Sequence, residues 1–502
     1  MAEKTYDLVV LGAGPAGEKG AAQAAYFGKR VAIVEKAVLG GAVSNTGTLP
    51  SKTLRETALT LSGLRARDLH GVDLSLRRDT TVQDLFAHER KVRAAHHEEV
   101  QRNLARHGIE LHSGVGSFET ATTIRVTPDG RDPYTLEAEK ILIAVGSTPS
   151  RPEMFPFDSP RVWDSDDVIG LSFMPKRMAV VGGGIIGAEY ACTFAALGID
   201  LVLLNDRPML FPFLDEDLRD ILERQMRALG VRTIREDRVV SSTATDEAVT
   251  LVLKSGESHE VDAVLVAAGR RGMTGLLALD NASLVATEKG TIAVNEHFQT
   301  AVPNIYAAGD IVGFPALAST SMEQARLAMV HAFDLKYKTS VGPVQPMGIF
   351  TIPEIGIAGE TEERLKAAGR DYVVGRALYR SNARGLIIGD TDGMLKLIFD
   401  PEDMRLLGVS VIGEDATELV HVGLMALMTE ATNEVFIEAC FNYPTLGQLY
   451  KYATYDAMGE LQRRGGGEGL EKLVPPAGFE PAISTLKGWR PGPLDDGGPT
   501  EL

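Results

Sequence analysis

The stretch Leu8-Val9-Val10-Leu11-Gly12-Ala13-Gly14-Pro15-Ala16-Gly17 decides the fold of this chain. An apolar, valine-rich run feeds a Gly-x-Gly-x-x-Gly turn, and an alanine-rich helical stretch follows from Glu18 to Phe27. Gly28 stops that helix, and Arg30 to Val34 reads as a second strand ending in Glu35. Strand, glycine turn, helix and strand make a complete βαβ opening. Gly12 permits the tight turn, Gly14 lets a pyrophosphate approach the backbone, and Gly17 lets helix pack on strand. Amides at the helix N-terminus then face the phosphate. Glu35 lies about 23 residues beyond Gly12, near the separation expected of an acid that accepts from ribose hydroxyls.

The pattern recurs at Val180-Val181-Gly182-Gly183-Gly184-Ile185-Ile186-Gly187, followed by a helix from Ala188 to Leu197 and a strand from Asp200 to Leu204. The chain therefore carries two dinucleotide-binding units, an internal repeat that predicts two dinucleotide ligands. Three further apolar runs end in glycine: Ile141 to Gly146, Val264 to Gly269, and Ile305 to Gly309. Residues 53–113 read as polar and helical, with His96 and His97 on a solvated face. From about Gln345 the pattern changes to alternating strands and a helix from Ala416 to Thr429, a separate α+β domain. Residues 468–502 are rich in Gly, Pro and Asp without periodicity, which predicts disorder.

The 502 residues include 44% hydrophobic and 24% charged side chains, enough for about three domains with ample core. A net charge of −17 disfavours nucleic acid and anionic membrane as partners. Two cysteines, Cys192 and Cys440, exclude a disulfide scaffold, and both read as packed small residues. The N-terminal residues show no signal pattern and no apolar run is long enough to span a bilayer, so the expected location is the cytoplasm. No spacing suggests a metal site.

The chain resembles the pyridine nucleotide–disulfide oxidoreductase family, of which dihydrolipoamide dehydrogenase is typical. Both glycine fingerprints, Gly40-Gly41, Pro50-Ser51-Lys52, Ala307-Ala308-Gly309-Asp310 and Asn442-Tyr443-Pro444-Thr445 carry the resemblance across residues 5–464. It implies FAD in a discontinuous domain of residues 1–155 and 280–344, and NAD or NADP in residues 156–279. It also implies a dimerisation domain of residues 345–464, ahead of the tail at 465–502, and a homodimer or larger homo-oligomer. Asp310 would reach the ribityl chain of FAD. The resemblance adds Lys36, Gly40, Gly41, Val43, Gly116, Gly146, Ser147, Leu317, Ala318, Ile186 and Gly269 to the cofactor-binding positions. Lys52 would lie near flavin N5, paired with Glu189, where a cation favours the anionic reduced ring. A purely structural ion pair is the alternative.

Departures from the family pattern narrow the chemistry. The disulfide enzymes carry Cys-x-x-x-x-Cys before Pro-Ser-Lys, whereas Val43 and Thr48 stand at those positions here. Neither can form a disulfide or a thiolate adduct. The family's His-Pro-Thr-x-x-Glu becomes Tyr443-Pro444-Thr445-Leu446-Gly447-Gln448, and tyrosine, with an ordinary pKa of about 10, is a poor base at neutral pH. Loss of the dithiol together with its base argues against disulfide reduction. The runs Gly47 to Lys52 and Phe441 to Thr445 are similar to those of the soluble pyridine nucleotide transhydrogenases, though these usually keep the first cysteine. Tyr443 of one subunit would then line the site of the other. At the end of the second unit's second strand, Asn205 replaces the acid of an NAD-selective site, and Arg207 could pair with a 2′-phosphate or be a plain surface arginine. The resulting expectation is an FAD-dependent NAD(P)+ transhydrogenase, with an NAD(P)H:quinone or dye reductase as the alternative.

Overall fold

The computed structural model describes residues 4–66 and 81–464. The tail expected to be disordered lies outside the described residues. Backbone contacts divide the chain into two compact units. The first runs up to Pro212 and adds Glu223–Gln345 and Phe350–Ile352; the second takes Phe213–Leu222, Pro346–Ile349 and the chain from Pro353 onward.

Two open α/β sheets organise the first unit. In one, parallel strands Glu110–Ser113, Val31–Glu35, Lys4–Leu11 and Tyr134–Ile143 lie side by side, and Ile305–Ala307 joins Tyr134–Ile143 in parallel. The antiparallel strands Thr123–Thr127 and Val115–Phe118 continue it. Leu8, Val9, Val10, Ile33 and Leu142 are buried, as near-continuous apolar runs in a sheet covered on both faces must be. Helix Pro15–Tyr26 packs its small residues Ala16, Ala21 and Ala24 against this sheet and against Ala325 and Met329 of helix Ala318–Ala332. It begins three residues before the expected Glu18 because Pro15, lacking an amide proton, suits the first helical position.

The second sheet is parallel throughout, in the order Val231–Arg235, Asp200–Asn205, Arg177–Val181, Ala263–Val266 and Val162–Asp164. An antiparallel meander, Val239–Ala244, Val249–Leu253 and Ser258–Val261, covers part of it. The chain crosses between the two folds on paired strands Ser147–Pro149 and Arg270–Gly272.

The second unit is built on an antiparallel sheet ordered Met347–Ile349, Ile355–Gly359, Leu406–Ile412, Met394–Phe399 and Val373–Leu378. Helices Ala416–Met428 and Leu449–Arg464 flank it. Phe213–Leu222 joins this unit through the fully buried Lys396, whose ammonium meets Asp215 at 2.7 Å, Asp217 at 2.9 Å and Glu362. Among the described residues no helix is long and apolar enough to cross a membrane.

Candidate functional site

The two glycine turns repeat one geometry. A Cβ on Gly12 would lie 2.5 Å from the Ala144 carbonyl oxygen, and one on Gly17 would lie 1.9 Å from that of Gly12. The corresponding approaches in the second unit are 2.4 Å from Gly182 to Ala267 and 1.9 Å from Gly187 to Gly182. The middle glycines differ in kind. Gly14 meets only the Gly41 Cα, at 3.8 Å, and Gly184 meets nothing within 4 Å. Outer glycines thus close the turn and the helix–strand contact, while the middle ones leave bare backbone to a ligand. Both helices start here, at Pro15 and Ile185, with Ile186 in the first turn.

Glu35 ends its strand with both carboxylate oxygens tied to backbone. Oε2 accepts from the Ala13 amide at 2.7 Å and Oε1 from the Ala37 amide at 2.9 Å. The acid is therefore oriented toward the glycine turn, with lone pairs left over for a hydroxyl. Lys36 beside it is exposed. Gly41 sits so close to Gly14 that a Cβ would come within 2.8 Å of the Gly14 Cα, which brings Gly40 and Gly41 to the same turn. Gly116 serves packing, since a Cβ there would lie 2.8 Å from Leu11.

Asp310, Ser147 and Arg270 form a chain of hydrogen bonds. Ser147 Oγ donates to Asp310 Oδ2 at 2.6 Å and accepts from Arg270 Nε at 2.9 Å. Arg270 also donates to the Ser147 carbonyl at 2.9 Å and reaches Asp166 at 3.4 Å. Gly146 and Gly269, at the two ends of the crossing strands, have open space where a side chain would be. Leu317 caps the helix that Ala318 begins.

Lys52 and Glu189 meet as the sequence implies. Lys52 Nζ donates to Glu189 Oε2 at 2.6 Å, and Glu189 is almost fully buried while Lys52 keeps about a quarter of its side chain exposed. The other oxygen, Oε1, accepts from the Phe350 amide at 2.8 Å, and the Phe350 ring lies under the ammonium at 4.9 Å. A buried carboxylate with both oxygens engaged holds its cation in one place. Phe350 and Arg270 escaped sequence reading because each reaches its partner across more than a hundred residues, with no local pattern to mark it.

Asn205 is buried at the end of its strand and donates from Nδ2 to the carbonyls of Arg207 at 3.0 Å and Met209 at 3.1 Å. It braces the loop that carries Arg207, and only Oδ1 is left to face a ligand. Arg207 itself is exposed, and its guanidinium makes no hydrogen bond or ion pair among the described residues. Asp206 beside it is exposed too.

Two expectations resolve differently. His96 and His97 are not on a solvated face: both are half-buried and bond to Ser44 and Asn45, because helix Val82–Arg106 turns that face toward the glycine segment. Cys440 is exposed instead of packed, standing among Phe441, Gln448, Lys451 and Tyr452. Cys192 is buried as expected, and burial pushes its thiol up to about 12. Tyr443 belongs to the second unit and is 69% exposed. Val43 is half-buried in helix Gly41–Asn45, and Thr48 is exposed at the start of helix Thr48–Leu61.

Comparison with known proteins agrees with this geometry. The family model of the pyridine nucleotide-disulphide oxidoreductases matches residues 6–329, and that family's dimerisation domain matches residues 345–454. A soluble pyridine nucleotide transhydrogenase of Mycobacterium bovis is 42% identical over 462 residues, 91% of this chain and 98% of the relative. The protein of that name from Marinomonas sp. is 37% identical over 468 residues, 92% and 100% of the two chains. Among solved structures, the HOCl-induced flavoprotein disulfide reductase RclA from Escherichia coli superposes with a TM-score of 0.81 at 26% identity, over 90% of this chain and 99% of RclA. LpdA from Mycobacterium tuberculosis shares the fold, with a TM-score of 0.84 at 24% identity over 90% of this chain and 99% of its own.

Proposed function

The chain belongs to the pyridine nucleotide–disulphide oxidoreductase family, and on that premise we propose that it is an FAD-dependent NAD(P)+ transhydrogenase that works without an active-site disulfide. One observation carries the reading: the Lys52–Glu189 pair, with its carboxylate buried, is intact in a chain whose cysteine positions hold Val43 and Thr48. Hydride chemistry keeps its cation while dithiol chemistry loses its sulfur.

The residues of the first fold fit FAD. Bare backbone at Gly14 and Gly41 suits a pyrophosphate, the oriented Glu35 suits a ribose, and Asp310 has Oδ2 engaged by Ser147 and Oδ1 without a hydrogen bond among the described residues. When bound, FAD supplies a two-electron store between one nicotinamide nucleotide and the next. Lys52 would present a fixed positive charge where negative charge accumulates as hydride arrives, and a charge already held by Glu189 and Phe350 needs no reorganisation. Gly182, Gly184, Ile186, Gly187 and Gly269 would receive the pyrophosphate and nicotinamide ends of NAD or NADP. Arg207, on the loop braced by Asn205, would meet the 2′-phosphate that separates the two. A site that releases NADP+ before NAD+ enters runs a ping-pong cycle. The match to the dimerisation domain supports a homodimer, and the acidic charge together with relatives described as soluble supports a cytoplasmic location.

The test is steady-state turnover of purified protein with NADPH and thio-NAD+, beside NADPH and a quinone. Parallel double-reciprocal lines with thio-NAD+, and no reduction of lipoamide or glutathione disulfide, are expected. Protein that takes up no FAD, or that reduces quinone but not thio-NAD+, would refute the proposal.

A further inference from the structure

Helix Gly41–Asn45 is five residues long, and no cross-link joins it to helix Thr48–Leu61, since Val43 and Thr48 occupy the cysteine positions. A single helical turn has little stability of its own. Two side chains from helix Val82–Arg106 reach it. His96 Nδ1 lies 2.8 Å from Ser44 Oγ, and His97 Nε2 lies 2.7 Å from Asn45 Oδ1. We propose that His96 and His97 are positioning residues that pin the segment 40–47 beside the flavin site, in place of a covalent staple. The proposal rests on the flavin reading of the first fold.

Proton bookkeeping fixes the direction of the second bond. At the first, Ser44 Oγ lies within reach of both the Gly40 carbonyl, at 3.2 Å, and His96 Nδ1, and with the hydroxyl proton on Gly40 it is His96 Nδ1–H that donates to Ser44 Oγ. Asn45 Nδ2 donates to the carbonyls of Val38, Leu39 and Gly41, at 3.3, 3.1 and 2.8 Å, which turns Oδ1 toward His97. His97 Nε2–H is therefore the donor there. Burial, reinforced by Arg93 and His96, lowers the His97 pKa and so favours its neutral ring.

The anchored segment is also registered to the glycine turn. Ser44 is completely buried, and the space it needs exists only because residue 40 is glycine, where a Cβ would lie 2.0 Å from Ser44 Oγ. Gly40 donates its amide to the Ala13 carbonyl at 2.9 Å. One side of the segment is therefore held by the fingerprint and the other by the histidines. Loss of the histidine bonds leaves Ser44 and Asn45 with unmet acceptors and frees the segment to shift. A shift of about 1 Å next to a reacting centre costs up to about 100-fold in rate.

The test is anaerobic stopped-flow reduction of the FAD holoenzyme by NADPH in wild type, in a His96→Leu, His97→Leu pair, and in a His96→Asn, His97→Gln pair. Asparagine and glutamine amides offer an N–H near the positions of Nδ1 and Nε2 respectively. The leucine pair should keep its flavin yet reduce about 10-fold or more slowly, and the amide pair should recover to within about threefold of wild type. Equal rates in wild type and the leucine pair, or a loss that the amide pair does not restore, would overturn the proposal. Should the leucine pair fail to hold flavin, Ser44→Ala decides: it must slow reduction, and adding His96→Leu must change nothing further. Additive effects would overturn the proposal. Wild-type protein that takes up no FAD would instead remove the reading on which it rests.

Discussion

Replacing Arg207 by alanine should separate the two nucleotides. Arg207 stands exposed at the end of the second fold's second strand, and among the described residues its guanidinium has no protein partner to release. Removing it therefore costs the free protein little, and the change in affinity reports the bound state. A hydrogen bond to a charged group contributes about 1.5–3 kcal/mol, and solvent exposure places this one toward the lower end, about 1.5–2 kcal/mol. That corresponds to about 10- to 30-fold weaker NADPH binding, with NADH nearly unchanged. The assay is the dissociation constant of each reduced nucleotide from rapid-reaction flavin reduction at low and high salt. The NADPH advantage should shrink at high salt, because an exposed contact is screened. Asn205→Asp sharpens the argument. It adds a negative charge and also removes the two donations to Arg207 and Met209 that shape the loop, so it should weaken NADPH more than Arg207→Ala does and perturb NADH as well. Equal weakening of both nucleotides by Arg207→Ala would refute the phosphate role.

Lys52→Met leaves Glu189 buried without its cation, so flavin reduction by NADPH should slow by about 100-fold or more, read by stopped flow at unchanged flavin content; a rate within threefold of wild type would contradict the assigned role. A Cys192→Ala, Cys440→Ser variant should retain flavin and transhydrogenase turnover, because the first thiol is buried with its pKa raised to about 12 and neither cysteine stands at a position of the family's redox pair, which Val43 and Thr48 occupy. Complete loss of activity in folded variant would show that a cysteine takes part. In the second unit, Lys396→Met strands Asp215, Asp217 and Glu362 together and should destabilise by about 3–5 kcal/mol, measured by denaturant unfolding. Burial raises the pKa of Asp217 and Glu362, but Lys396 and Arg376 more than offset it, so both lie below their ordinary values. Their contribution is thus present above the unfolded carboxylate pKa and is lost as pH falls through the lowered folded values. The wild type should lose more stability than the variant over that acid window.

The dinucleotide units were legible in the sequence because their signal is local: strand, glycine turn and helix are consecutive, and the outer glycines are demanded by their own backbone, as at Gly12 and Gly182, or by an atom a few residues away, as at Gly17 against Gly12 and Gly187 against Gly182. The replacement of the redox cysteines and of the family's histidine was legible for the same reason, since Val43, Thr48 and Tyr443 sit at fixed offsets from recognisable motifs. Long-range partners were not. That Phe350 holds Glu189, that Arg270 backs Ser147 and Asp310, and that His96 and His97 face Ser44 and Asn45 rather than water depends on which helix face or strand edge the tertiary packing turns inward. A helix as polar as Val82–Arg106 carries no strong apolar stripe to announce its buried side. Asn205 shows the limit most sharply. Its position at the strand end follows from spacing, but its amide is engaged by the Arg207 and Met209 carbonyls, because a buried polar group takes the nearest unsatisfied backbone partner. Spacing along the chain thus determined which ligands the folds are built for, and only three-dimensional packing decided how each side chain at the site is held.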